Sequence, residues 1–297
     1  MTLSGLLRTV VDAAPFRAIA EIAGRPGSES VTVIAPRALQ PFVAAALAAP
    51  SPIGAGMPLL IAAATGREAE DLATSLRALL PDRNVVVFPS WETLPHERLS
   101  PSSDTVGRRV AILRRLAHPD SADRLVQPVD VVVASIRAIL QPMAAGLGDV
   151  EPVRLTVDST ADLTETVQHL VDMGYDRVDL VERRGQLAVR GGILDVFPPA
   201  EEHPLRVEFW GDSVEEIRSF AVTDQRSLEL APDGVFAAPV RELLLTPEVR
   251  DRARRLAEGV PVLSDMCEQL AQGICVEGME ALTPVLVGSM TTLLEVM

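Results

Sequence analysis

The sequence predicts an α/β protein: a parallel sheet covered by helices, followed by a smaller α+β module of antiparallel strands. Three observations predict it. Short runs of almost pure Val, Ile and Leu alternate with helical patterns through residues 1–145, as in a parallel sheet buried on both faces. Residues 185–220 instead alternate apolar and polar side chains with period two, punctuated by Gly and Pro, as half-buried antiparallel strands do. A length of 297 residues accommodates two or more domains with ample core.

In chain order, residues 3–23 carry apolar side chains at helical spacing (Leu6, Leu7, Val10, Val11, Phe16, Ile19, Ile22). A Gly- and Ser-bearing break at 24–28 follows. Residues 31–34 (VTVI) read as a first buried strand, and an Ala-rich helix runs to Ala49. After a Gly/Pro loop over 51–58, residues 59–62 (LLIA) read as a second strand and 68–80 as a helix. Residues 85–88 (VVVF) read as a third strand, 105–116 as a helix and 129–134 (VDVVVA) as a fourth strand.

The second module opens with a helix over 161–173, marked by Leu163, Val167, Leu170 and Val171. Residues 159–162 supply its N-cap and Gly174 its C-cap. Residues 185–199 (GQLAVRGGILDVFPP) read as one strand with a bulge at Gly191-Gly192, ended by Pro198-Pro199. Asp195 reads as a carboxylate capping a neighbouring turn. Leu205, Val207 and Phe209 alternate with Arg206, Glu208 and Trp210; Gly211-Asp212 turns the chain, and residues 213–220 return. Residues 150–232 thus form a helix on a few antiparallel strands.

Composition excludes several functions. The net charge of -14 argues against general phosphate-backbone binding, though it leaves room for a local basic patch. All 27 basic residues are arginine, so chemistry requiring a lysine is ruled out. Cys267 and Cys275 with four scattered His have no metal-ligand spacing and read as reduced thiols. No membrane-length apolar run or signal segment is present, which leads us to expect a soluble, cytoplasmic protein with no membrane partner.

A P-loop needs glycines to expose amides, a Lys on the outer phosphates and a Ser or Thr on magnesium. Neither Ala35-Pro36-Arg37 after the first predicted strand nor Ala63-Ala64-Thr65-Gly66-Arg67 after the second fits: the glycines are missing, Pro36 removes an amide and no lysine is present. Arg67, at a helix start, reads as an anion contact or a solvated side chain. Ser135-Ile136-Arg137 after the fourth strand lacks paired acids. The loop after the third strand, residues 89–104, carries Trp91, Glu92, His96 and Glu97. It reads as a structural loop anchored by Trp91, with Asp104 capping the next helix, or as a catalytic or metal cluster whose spacing suits neither role well.

Four stretches carry a family resemblance: FPSWETLPHERLSPSSDTVGRR, DVVVAS, GYDRVDLVERRGQLAVRGGILDVFPP and LRVEFWGDSVEEIRSFAVTDQRSL. Over residues 30–245 the chain resembles the N-terminal region of the bacterial transcription-repair coupling factors (Mfd), itself similar to the excision-repair protein UvrB. The resemblance implies a helicase-like domain with a degenerate P-loop at 1–147, an inserted UvrA-binding α+β domain at 148–235, and a return to the first domain at 236–297. The chain ends at Met297 in an apolar run over 285–297 that reads as a helix, as though cut from a longer protein.

The resemblance implies UvrA as partner and recruitment of excision repair to a stalled RNA polymerase as function, without catalysis in this region. RNA polymerase, double-stranded DNA, ATP and magnesium are expected only at domains beyond this one, and no cofactor here. The positions carried over are Arg177 and Arg190. Ala188 stands where UvrB has a further arginine; Arg183 and Arg184 compensate, and Arg206 and Phe197 complete the expected UvrA-binding set. Taken alone, without the resemblance, these arginines read as solvated side chains at a sheet edge. UvrB's damage-gripping tyrosines have no counterpart: Tyr175 is the single Tyr, and aromatics make up 3%. Two other functions remain open, a divergent ATPase in residues 1–147 and an autoinhibitory clamp that covers the docking face.

Overall fold

The computed structural model describes all residues except 1–3, 26, 28–29, 52, 95–96 and 120–126. The chain divides into two compact units. One comprises residues 1–90, 115–141 and 292–297; the other comprises 91–114 and 142–291.

The first unit is built on a parallel sheet of β1 (Leu59–Ala63), β2 (Val85–Phe88) and β3 (Val131–Ser135) in the order β1-β3-β2. β3 is buried along its whole length, which explains its unbroken apolar sequence. Helices α1 (Ser4–Val11), α2 (Ala14–Ala23), α3 (Gln40–Ala48) and α4 (Gly66–Leu79) accompany it. Leu76 and Leu79 of α4, Ala45 and Ala46 of α3, and Val131 and Val133 share one apolar core. The expected single N-terminal helix is two, because Pro15 is tolerated only in a first turn and starts a new helix after Asp12-Ala13.

The expected first strand is absent. Residues 30–36 have no regular structure, and Ile34 is 96% exposed. A short β-branched run becomes a strand only where a neighbouring strand pairs with it, and the sheet has no fourth member among the described residues.

The second unit begins with the loop from Trp91 and most of α5 (Ser103–Ala117). Ser102, not Asp104, caps this helix: its Oγ accepts from the Thr105 amide at 3.2 Å. Its Gly107 is a close-approach position, since an added Cβ would lie 2.0 Å from Pro199 Cβ. Beyond the short helix α6 (Ile136–Leu140) of the first unit, β4 (Met143–Ala144) and β5 (Val153–Leu155) lead to α7 (Leu163–Asp172). The N-cap of α7 is Asp162, whose carboxylate accepts from the Glu165 amide at 2.8 Å.

A six-stranded sheet follows. Its strands are β6 (Asp176–Arg177), β7 (Gln186–Arg190), β8 (Ile193–Val196), β9 (Leu205–Trp210), β10 (Ser213–Phe220) and β11 (Ser227–Leu230), laid side by side in chain order. β6 pairs parallel with β7; the other pairs are antiparallel. Residues 185–199 are therefore a hairpin, not one bulged strand. Arg190 pairs with Ile193, and Gly191 takes φ 60° in the two-residue loop between them. The same Gly-Gly pair serves a bulge or a turn, so periodicity alone did not separate them.

One sheet face buries Leu187, Leu194, Val196, Val207 and Ile217 with Val167 and Leu170 of α7. Each fully buried aliphatic side chain contributes about 1.5–3 kcal/mol. β12 (Val235–Ala237) pairs with β5, and the Tyr175 hydroxyl, wholly buried, donates to the Ala238 carbonyl at 3.0 Å. Helices α8 (Pro247–Gly259) and α9 (Ser264–Ala271) pack together around Leu245, Val249, Ala253, Cys267 and Leu270. The expected terminal helix over 285–297 is instead α10 (Thr283–Leu286), β13 (Met290–Thr291) and a last turn of helix, Leu293–Val296; β13 pairs with β4.

Candidate functional site

The face of the six-stranded sheet opposite α7 carries its charges. Cross-strand register aligns Ala188, Asp195, Arg206 and Arg218 in one row, and Arg190, Ile193, Glu208 and Glu216 in the next. Asp195 is not a turn cap. It is buried and accepts from Arg206 Nε at 2.7 Å and Arg206 Nη2 at 2.8 Å. The same guanidinium lies 4.7 Å from the Phe220 ring centroid and donates to the Gln225 carbonyl. The hydrogen bond to Asp195, with the Asp195 and Glu208 charges, raises the Arg206 pKa against the cost of burial. This pair was illegible in sequence because its members sit 11 residues apart, across a proline break.

The structure splits the six predicted site residues into three places. Arg177 and Arg190 come together. Arg177 is exposed on β6, the edge strand, and Arg190 is exposed at the end of β7. Both line a groove of about 590 Å³ with Val178, Asp179 and Val189. Arg190 Nη2 donates to the Asp179 carbonyl at 2.9 Å, which fixes the side chain. Neither guanidinium forms an ion pair among the described residues.

Arg183, Arg184 and Phe197 lie on a second groove, of about 560 Å³, lined also by Ser100, Ser103, Asp104 and Arg241. Arg184 lies 5.0 Å over the buried Phe197 ring, donates to the Glu201 carbonyl at 2.8 Å and approaches Asp104 at 3.6 Å. Arg183 is exposed. The loop beneath both is set by Gln186, whose Oε1 accepts from the Glu182 and Arg183 amides, each at 2.9 Å. Arg206, engaged with Asp195, is the third place. Ala188 is buried beside Phe197 and Phe220.

The 89–104 loop is held from both ends. Trp91 is buried, and its Nε1 donates to Glu242 Oε1 at 3.0 Å; Glu242 also meets the buried Arg109. Glu92 accepts from Ser102 Oγ at 2.7 Å and from Thr105 Oγ1. Partial burial raises the Glu92 pKa, but the Thr105 and Ser102 hydrogen bonds outweigh it, and the net shift is downward. Glu97 accepts from the Leu94 amide, and His96 lies outside the described residues. No cluster of metal-ligating side chains is found among the described residues.

In the first unit, Thr65 caps α4 by accepting from the Glu68 amide at 3.2 Å, and Arg67 is exposed. Glu68 meets Arg37 at 3.4 Å. Ser135 caps α6 in the same way, accepting from the Ala138 amide at 3.2 Å. No helix among the described residues is long and apolar enough to cross a membrane.

The family described as the UvrB interaction domain matches residues 153–238, the sheet and helix just described. Over 294 residues, 96% of its length, the chain is 50% identical to the transcription-repair-coupling factor of Mycobacterium bovis, of which it spans 23%. It is 32% identical over 186 residues to the transcription-repair-coupling factor of Bacillus subtilis, covering 63% of this chain and 15% of that protein. It is also 33% identical over 193 residues to UvrABC system protein B of Enterococcus faecalis, covering 61% of this chain and 28% of that protein. The chain therefore spans under a third of the length of each of these relatives. Residues 153–238 are a UvrB interaction domain, and the chain is homologous to the N-terminal region of the bacterial transcription-repair-coupling factors.

Proposed function

We propose that this chain is a non-catalytic recruitment module, whose Arg177–Arg190 groove docks the repair protein UvrA and so brings excision repair to a stalled RNA polymerase. One observation carries the reading. Two exposed guanidiniums share one groove and form no ion pair among the described residues, on a chain whose net charge is -14. Arginine's planar fork suits bidentate pairing with a partner's carboxylates. Losing such a contact once buried at an interface costs about 2–5 kcal/mol. Arg183 and Arg184 form a flanking contact. Arg206 and Phe197 support the face from beneath, since one is paired with Asp195 and the other is buried.

In this reading residues 1–147 are a helicase-like domain that has lost its grip on a triphosphate, 148–235 the docking domain and 236–297 a return segment. The loop after β1 supports that loss: it has no lysine, and its Thr65 is already engaged in capping α4. ATP, magnesium, double-stranded DNA and RNA polymerase belong to other parts of the whole cytoplasmic protein.

The test is capture of purified UvrA by the chain and by an Arg177→Ala/Arg190→Ala variant. The variant is expected to lose capture with its thermal melt unchanged. Undiminished capture would exclude this groove, and ATP turnover by the purified chain would contradict the non-catalytic assignment.

A further inference from the structure

The chain has two tryptophans, and the fold treats them oppositely. Trp91 is buried and hydrogen-bonded, whereas Trp210, the last residue of β9, is 80% exposed. A single exposed hydrophobic side chain needs no explanation by itself. The position of this one does. Leu205, Val207 and Phe209 point into the core, so alternation turns Arg206, Glu208 and Trp210 to the charged face. Arg190 pairs with Ile193 and Ile193 with Glu208, so Trp210 stands two residues beyond the row that holds Arg190, on the same side.

The turn carrying Arg190 lies directly against β9. The Phe209 amide donates to the Gly192 carbonyl at 2.8 Å, and a Cβ on Gly192 would meet the Phe209 carbonyl oxygen at 2.8 Å. A Cβ on Gly191 would meet nothing within 4 Å, so the space beside the turn is open.

We propose that Trp210 is the apolar anchor of the docking surface that begins at Arg190, while Arg177, in register with Leu187, borders the groove from the edge strand. The Trp210 indole enters an apolar cleft on the partner protein, and that cleft is rimmed by a carboxylate that Arg190 takes up. Charge complementarity names the occupant: the groove holds two guanidiniums against one carboxylate, Asp179, an excess of positive charge on a chain of net charge -14. Tryptophan and arginine are the side chains that most often carry interface energy, tryptophan by desolvation and arginine by paired hydrogen bonds. The inference rests on the UvrA reading above.

The experiment titrates purified UvrA with wild-type chain, Trp210→Ala, Trp210→Phe and Arg190→Ala, at several salt concentrations. Trp210→Ala is expected to bind at least about tenfold more weakly with the salt dependence unchanged, and Trp210→Phe to keep most of the affinity. Arg190→Ala is expected to weaken binding and flatten the salt dependence. Trp210→Ala binding within about twofold of wild type, beside a failing Arg190→Ala, would overturn the anchor and leave the arginine docking intact. No binding by the wild-type chain would overturn both. In a fluorotryptophan-labelled chain, the resonance lost in Trp210→Phe should shift when UvrA is added; an unmoved resonance would also overturn the anchor.

Discussion

Removing either partner of the Asp195–Arg206 pair should cost stability unequally, and the structure says which loss is worse. The Asp195 side chain is 4% exposed and the Arg206 side chain 18%. Breaking a buried ion pair costs about 3–5 kcal/mol, because the survivor keeps its charge without its partner. Arg206→Ala strands the more buried charge and also removes the guanidinium from the Phe220 ring, a contact worth about 0.5–1 kcal/mol where partly exposed. It should fall near 5 kcal/mol. Asp195→Ala leaves a guanidinium that water partly reaches and that still donates to the Gln225 carbonyl, so it should fall near 3 kcal/mol. Replacing both with leucine should recover most of the loss. Total stability is commonly about 5–15 kcal/mol, so these differences are large in urea unfolding followed by circular dichroism. An Arg206→Ala variant as stable as Asp195→Ala, or both within about 0.5 kcal/mol of wild type, would refute the reasoning.

Three other outcomes follow from single features. Gly107→Ala puts a methyl into Pro199, whose ring is not a yielding side-chain end, so unfolding measurements should show a loss of about 1–3 kcal/mol. The depressed Glu92 pKa means that its contribution is present above the usual carboxylate range and fades as pH falls through the lowered value. The melting-temperature gap between wild type and Glu92→Gln should therefore narrow in acid, and a gap that widens there would contradict the assignment. Burial raises the thiol pKa of both Cys267 and Cys275, so native chain should react with a thiol-specific disulfide reagent far more slowly than chain unfolded in urea.

Local pattern revealed what local pattern controls. β1, β2 and β3 stood out as Val/Ile/Leu runs, and β9 and β10 as a two-residue alternation around Gly211. Residues 31–34 (VTVI) are as rich in β-branched side chains as β2 (VVVF) but have no strand beside them, and pairing is not written in four residues. The Gly191 hairpin is hidden from periodicity because a turn resets the alternation, and Leu187 and Ile193 keep odd numbers on both sides of it. Arg177 and Arg190 were found by resemblance, and the fold adds that β6 pairs with β7 and brings them to one groove. The pairs Asp195–Arg206 and Arg109–Glu242 stayed hidden because their members lie 11 and 133 residues apart in sequence. The exposure of Trp210 was readable from the alternation of β9.

Docking through Arg177 and Arg190, which form no ion pair among the described residues, is tested most directly by a titration of the chain against purified UvrA at increasing salt. Affinity should fall steadily as salt approaches and passes about 0.15 M, and that dependence should flatten in the Arg177→Ala/Arg190→Ala variant. Binding that ignores salt, with the variant matching the wild-type curve, would contradict the account.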